Sequence, residues 1–102
     1  MDSEINSFFK NLKDGKISEE KKRLLYDLVI NLDNATELQK ERFILVYNLQ
    51  SIPNIKYNIS NIARKQNCSP SAVKYSIGRI RNYLINLKSE KKDIFREIVK
   101  KR

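Results

Sequence analysis

Apolar side chains recur at spacings of three and four residues along most of the chain, and this periodicity constrains the fold more than any other feature. Only two Gly and two Pro interrupt the 102 residues, and no window alternates apolar and polar residues as a half-buried strand would. We therefore predict an all-α domain of five or six helices with no sheet. The apolar faces of three helices are Ile5, Phe8, Phe9 and Leu12; Leu24, Leu25, Leu28, Val29 and Leu32; and Val73, Ile77, Ile80, Leu84 and Leu87.

Polar capping residues mark the predicted helix starts, since their side chains can accept from the unpaired backbone amides of the first turn. They are Ser18, Thr36 (in a capping-box pattern with Gln39), Asn58 and Ser69. Asp14-Gly15 ends the first helix, and the apolar run 43–47 predicts a helix buried in the centre. Because Ile94 and Ile98 continue the register of the fifth helix, the sequence allows either one long C-terminal helix or a helix pair, the second capped at Ser89.

The composition excludes several classes of function. The chain has no His and one Cys, so His-based acid–base chemistry and ordinary zinc sites are excluded. We predict that it is not an enzyme and that it holds no metal and no cofactor. Cys68 is interpreted as a small apolar packing residue. No apolar run approaches the roughly 20 residues of a membrane span, and the acidic N-terminus lacks the features of a signal peptide. We therefore predict a cytoplasmic protein with no membrane partner.

Positive charge is concentrated in the second half of the chain. Residues 1–55 hold 8 basic and 9 acidic residues, a net charge of −1, whereas residues 56–102 hold 13 basic and 3 acidic residues, a net charge of +10. No Asp or Glu occurs between Arg42 and Ser89. This asymmetry favours a polyanionic partner, and double-stranded DNA is the first candidate because released counterions drive its binding. A solvated lysine-rich surface is the alternative, since abundant Ile, Asn and Lys are typical of AT-rich genomes.

Residues 59–77 have the pattern of a helix-turn-helix. Ala63 is small where the two helices would cross closely, and Ile62 and Val73 would form the apolar pair at the crossing. Asn67 falls at the turn position that usually needs a positive φ. Acidic and large aliphatic residues are absent from the outward positions of the second helix, as expected for a helix laid in a major groove. Those positions are Ser71, Ala72, Lys74, Tyr75, Gly78 and Arg79.

The stretch Leu38–Leu84 resembles region 4 of bacterial sigma-70-type factors. The resemblance rests on the motif residues named above, on the upstream helix from Leu38 and on the closing segment 79–84. The resemblance implies that the second helix of the motif reads promoter DNA and that the segment 41–50 contacts RNA polymerase. Gln66 and Asn67 stand where the family usually has an apolar residue and Gly. By position, the residues implied to contact bases are Ser71, Lys74 and Tyr75. Those implied to contact phosphates are Lys56, Asn58, Arg64, Ser69 and Arg79.

Three parts of the chain are predicted: an N-terminal helical segment over 1–37 that packs on the core, a sigma region 4-like domain over 38–87, and a basic helical tail over 88–102. Because residues 1–37 are too short for the promoter-melting region of a complete sigma factor, we expect a stand-alone transcription regulator of low-GC bacteria or their mobile elements, located in the cytoplasm at the nucleoid. The alternative is a protein-interaction module that binds RNA polymerase or a partner sigma subunit with little DNA specificity. A homodimer formed by the C-terminal helix also stays open.

Overall fold

Six α-helices account for the regular structure. The computed structural model describes residues 2–100, and within that range no strand is present. The helices are α1 (Asp2–Lys13), α2 (Glu19–Ile30), α3 (Glu37–Val46), α4 (Ile59–Lys65), α5 (Pro70–Ile85) and α6 (Ser89–Val99). The prediction of an all-α domain of five or six helices is thereby confirmed. None of the helices within residues 2–100 combines the length and apolar composition that crossing a bilayer requires.

The helix boundaries are set by local chemistry. Gly15, two residues after the end of α1, takes a φ of +76°, a conformation that favours glycine. Ser18 Oγ accepts from the Lys21 amide at 3.3 Å and caps α2. Thr36 and Gln39 exchange two hydrogen bonds of 3.1 Å, which completes the predicted capping box of α3. The end of α1 and the starts of α2 and α3 are therefore determined by residues that are neighbours in the chain.

Five of the helices share one main hydrophobic core. In α1, Phe9 lies at the centre of an aromatic group, with its ring centroid 6.2 Å from that of Phe43 and 6.5 Å from that of Phe95. Arg81 of α5 covers the Phe9 ring at 4.6 Å and donates a hydrogen bond to Asn6. The buried residues of this main core are Ile5, Phe8, Phe9, Leu12, Leu25, Leu28, Val29, Leu32, Phe43, Leu49, Ile80, Leu84, Phe95, Ile98 and Val99.

A second, smaller cluster holds the motif region together. Ile62, Ala63 and Val73 are buried in it, and Leu45, Val46, Tyr57, Ile59, Cys68 and Ile77 pack against it. Helix α5 takes part in both clusters, because Val73 lies in the small one while Ile80 and Leu84 lie in the main core. The C-terminal half of α5 is therefore anchored in the domain, and its N-terminal half is presented next to α4.

The C-terminal segment forms a helix of its own. Helix α5 ends at Ile85, and α6 begins at Ser89, so the helix-pair alternative is the one observed. Ser89 does not cap it: the residue has a φ of +57°, and no side chain makes a capping hydrogen bond there. The apolar residues Phe95, Ile98 and Val99 are buried in the main core. The described part of the predicted tail is thus an integral helix of the domain; residues 101–102 lie outside the described range.

Two details of the predicted burial are wrong. Leu24, predicted on the buried face of α2, is 41% exposed. The run 43–47 is not buried all round, because only Phe43 is fully buried and the four residues after it are half-buried. Two cations of α3, Lys40 and Arg42, are buried instead, and each is 8% exposed. Lys40 Nζ donates to the carbonyl oxygen of Ile30 at 3.1 Å and so satisfies an otherwise unpaired group at the end of α2.

Candidate nucleic-acid interface

Helices α4 and α5 are joined by the short turn 66–69, in the order that the sequence predicted. Asn67 takes a φ of +54°, which the motif requires and which Asn tolerates better than most residues. The Cys68 amide donates to the Ala63 carbonyl oxygen at 2.9 Å and closes the end of α4. Because this turn is tight, the start of α5 is fixed directly beside the end of α4.

Both helices of the motif begin at the predicted caps. Asn58 Oδ1 accepts from the Asn61 amide at 2.7 Å, and Ser69 Oγ accepts from the Ala72 amide at 3.1 Å. Pro70 occupies the first turn of α5, where a missing amide costs nothing. Capping uses only the acceptor oxygens. The Asn58 amide hydrogens and the Ser69 hydroxyl hydrogen are therefore still chemically able to donate to a phosphate.

Close packing at the crossing also agrees with the prediction. Ile62 and Val73 are completely buried, and Ala63 is 3% exposed among them. A larger side chain at Ala63 would have to displace the small cluster on which the start of α5 rests.

The three residues implied to contact bases all lie on the surface of α5. Ser71 and Lys74 are exposed, and Tyr75 is 63% exposed, an unusual degree for an aromatic residue. Gly78 is exposed one turn further on, and a Cβ added there would meet no atom within 4 Å. Ala72, predicted to face outward, is half-buried. The outward surface of α5 therefore combines small residues with one cation and one aromatic ring.

The residues implied to contact phosphates are all exposed. Lys56 precedes α4, Arg64 lies in its last turn, and Asn58 and Ser69 lie at the helix starts. Arg79 stands apart because tyrosines hold it on both sides. Its Cζ atom lies 5.8 Å from the Tyr75 ring centroid and 5.0 Å from that of Tyr83, and its Nη2 donates to the Tyr83 hydroxyl oxygen at 2.6 Å. This arrangement holds the guanidinium along the side of α5.

Between residues 24 and 88 the exposed charges are segregated by sign along the chain. Between residues 56 and 88 every exposed charged side chain is basic, namely Lys56, Arg64, Lys65, Lys74, Arg79 and Lys88. Between residues 24 and 55 every exposed charged side chain is acidic, namely Asp27, Asp33, Glu37 and Glu41. The ion pairs found among residues 2–100 lie outside the motif, at Lys22–Glu19, Lys40–Glu37 and Lys100–Glu97. The field of the α4–α5 surface is therefore positive and not neutralised by ion pairs within the motif.

One group of residues at this site escaped the sequence analysis. Arg42 of α3 is buried and donates to Gln66 Oε1 at 2.6 Å, to Ser76 Oγ at 2.8 Å and to Cys68 Sγ at 3.5 Å. Gln66 Nε2 in turn donates to Glu41 Oε1 at 3.1 Å. Arg42 is therefore neither a solvated residue nor a surface contact for a polymerase. Gln66 was the signal in the sequence that could have indicated this network, because the resemblance leads one to expect an apolar side chain at its position.

The described geometry defines a small all-α domain with a basic helix-turn-helix surface. In residues 2–100 no group of three or more His, Cys, Asp or Glu side chains is placed so that it could hold a metal ion. No protein-family model, no curated protein and no solved structure matches the chain.

Proposed function

We propose that the chain is a sequence-specific DNA-binding transcription regulator that inserts α5 into the major groove and acts at the bacterial nucleoid. The observation that carries this proposal is the α4–α5 surface, where every exposed charge is basic and the outward face of α5 has small residues around Lys74 and Tyr75. The resemblance of 38–84 to sigma region 4 supports the same reading.

The proposed division of labour follows from side-chain chemistry. Lys56, Arg64 and Arg79 provide positive charge at the edges of the helix pair, where phosphates pass when a helix lies in the groove. These contacts fix the register and carry no direct sequence information. Lys74 and Tyr75 project from α5 itself: an ammonium can donate to guanine O6 or N7, and an aromatic ring can pack on a thymine methyl.

The first experiment is selection of bound duplexes from a random pool by the full chain, followed by titration of the enriched and a scrambled duplex at equal salt. We expect an enriched motif and a preference of at least about a hundredfold, within the range of specific DNA-binding proteins. Equal affinity for both duplexes would contradict sequence-specific binding and leave only charge-driven binding.

A second candidate function is supported by a groove outside the motif. This groove between α2 and α3 is lined by four apolar or aromatic residues, Tyr26, Ile30, Ile44 and Leu45, and by four polar ones, Glu37, Lys40, Glu41 and Gln50. Ile30 is 41% exposed beside it. A groove that combines apolar side chains with two exposed glutamates suits a protein partner, so a module that binds RNA polymerase or a partner sigma subunit is the alternative. Retention of core polymerase by the full chain, with a Glu37→Lys variant as the control, tests it independently of DNA.

A further inference from the structure

We propose that Arg42 is the positioning residue of the DNA-binding surface: it fixes the orientation of α5 relative to α3 and α4, and so determines whether Lys74 and Tyr75 reach the bases. The inference rests on the proposed function, and it assigns a role to a buried side chain that never meets DNA.

The three partners of Arg42 belong to three different segments of the motif. Gln66 caps the C-terminal end of α4, Cys68 lies in the turn, and Ser76 lies in the second turn of α5. Arg42 itself belongs to α3, whose Phe43 is completely buried in the main core. One planar guanidinium therefore joins the core to both helices of the motif and to the turn between them.

Hydrogen bonds of this kind constrain direction, whereas apolar contacts mainly constrain distance. The small cluster at the crossing keeps α4 and α5 together but has only three fully packed members, Ile62, Ala63 and Val73. The guanidinium has its donors in a rigid fork, which a flexible ammonium cannot reproduce. Ile80 and Leu84 hold the C-terminal half of α5 in the main core, and Arg42 adds a directional constraint on its N-terminal half.

Ser76 is the point at which this constraint reaches the recognition surface. Its hydroxyl accepts from Arg42 Nη1 and donates to the Ala72 carbonyl oxygen at 3.1 Å. Tyr75 is the preceding residue, about 100° away around the helix. A rotation of α5 by about 20° would move a side chain on its surface by about 2 Å, given a helix radius of 5–6 Å. That displacement exceeds the tolerance of a hydrogen bond to a base edge.

Glu41, on the surface, determines which way the Gln66 side-chain amide points in this network. Gln66 directs its Nε2 to Glu41 and its Oε1 to Arg42. Among the described side chains, Arg42 makes no direct bond to a carboxylate, and it is linked to Glu41 through the Gln66 amide. The three side chains that accept from Arg42 are neutral, so they do not cancel the positive charge of its guanidinium beside the turn 66–69.

The test compares Arg42→Lys with a destabilised control, Val29→Ala, which truncates a fully buried residue of α2 that lies outside the hydrogen-bond network of Arg42. Arg42→Lys keeps the positive charge and loses the fork. We expect its affinity for a scrambled duplex at low salt to stay within twofold of the wild type, while the preference for the selected duplex falls at least tenfold. Val29→Ala, with a lowered melting temperature, should keep its preference.

Amide chemical shifts of the unbound protein provide a readout that does not depend on DNA. We expect shifts of residues 70–77 to move in Arg42→Lys and in the milder variant Ser76→Ala, but not in Val29→Ala. If the wild type prefers no duplex, the proposed function fails and these shifts alone decide the role of Arg42. Unchanged shifts in Ser76→Ala and Arg42→Lys, or an unchanged preference in both, would overturn the inference.

Discussion

Replacing Arg79 with Gln removes one positive charge from the side of α5 while keeping a donor within reach of the Tyr83 hydroxyl. Three of the proposed phosphate contacts are charged, namely Lys56, Arg64 and Arg79. Three such contacts predict a slope of about −2.7 for log affinity against log salt concentration, or a loss of about 40-fold between 50 and 200 mM salt. With Arg79→Gln we expect a slope of about −1.8 and a loss of about 12-fold over the same range.

The assay is a fluorescence titration of a labelled duplex at four salt concentrations, performed with both the selected and the scrambled sequence. Arg23→Gln is the matched control, because Arg23 is equally a surface arginine but belongs to α2 and not to the motif. Its slope should remain close to that of the wild type. Equal slopes for Arg79→Gln and the wild type would show that Arg79 contacts no phosphate. An equal change of slope in Arg79→Gln and Arg23→Gln would show that the slope depends only on the net charge of the protein.

Three further outcomes are expected. Lys74→Ala and Tyr75→Ala should each lower the preference for the selected over the scrambled duplex, because a good base contact provides roughly 1–3 kcal/mol of discrimination; a loss shared equally by both duplexes would contradict this. Ala63→Leu should destabilise the fold by about 1–3 kcal/mol through overpacking at the crossing, and an unchanged melting temperature would refute close packing there. Burial raises the pKa of Tyr47, against the opposing charge of Arg81. Above pH 10 the Tyr47 hydroxyl therefore ionises more readily in the unfolded chain than in the folded one, and the free energy of unfolding falls. Tyr47→Phe should make this loss of stability at alkaline pH smaller in pH-dependent melting curves.

Helix starts could be predicted from the sequence because a cap and its helix are neighbours in the chain. Ser18, Thr36, Asn58 and Ser69 each bond an amide three residues ahead, as predicted. The positive φ of Asn67 was predictable for the same reason, since the turn imposes it locally. Exposure of the candidate base contacts on α5 also followed, because helical periodicity places them opposite Val73.

Burial of charged residues could not be predicted, because it depends on partners far away in the chain. Arg42 meets Gln66 at a separation of 24 residues and Ser76 at 34, and Lys40 meets the Ile30 carbonyl oxygen across the α2–α3 connection. A periodicity argument assigns Lys and Arg to the surface by default. For the same reason the run 43–47 was predicted to be buried in the centre, whereas only Phe43 in it is fully buried and the cations Lys40 and Arg42 before it are buried as well.

The position of Gln66 illustrates how a departure from a family pattern can carry information. A glutamine at the end of α4 would weaken an apolar crossing if it were buried without partners. Here its amide lies between Arg42 and Glu41, and each of its polar atoms has a hydrogen-bond partner. An apolar residue at this position would leave the Arg42 Nε–H without an acceptor, whereas an arginine-to-apolar change alone would leave the Gln66 carbonyl oxygen without a donor. The two residues are therefore interdependent, and replacing both together should cost less stability than the sum of the single changes.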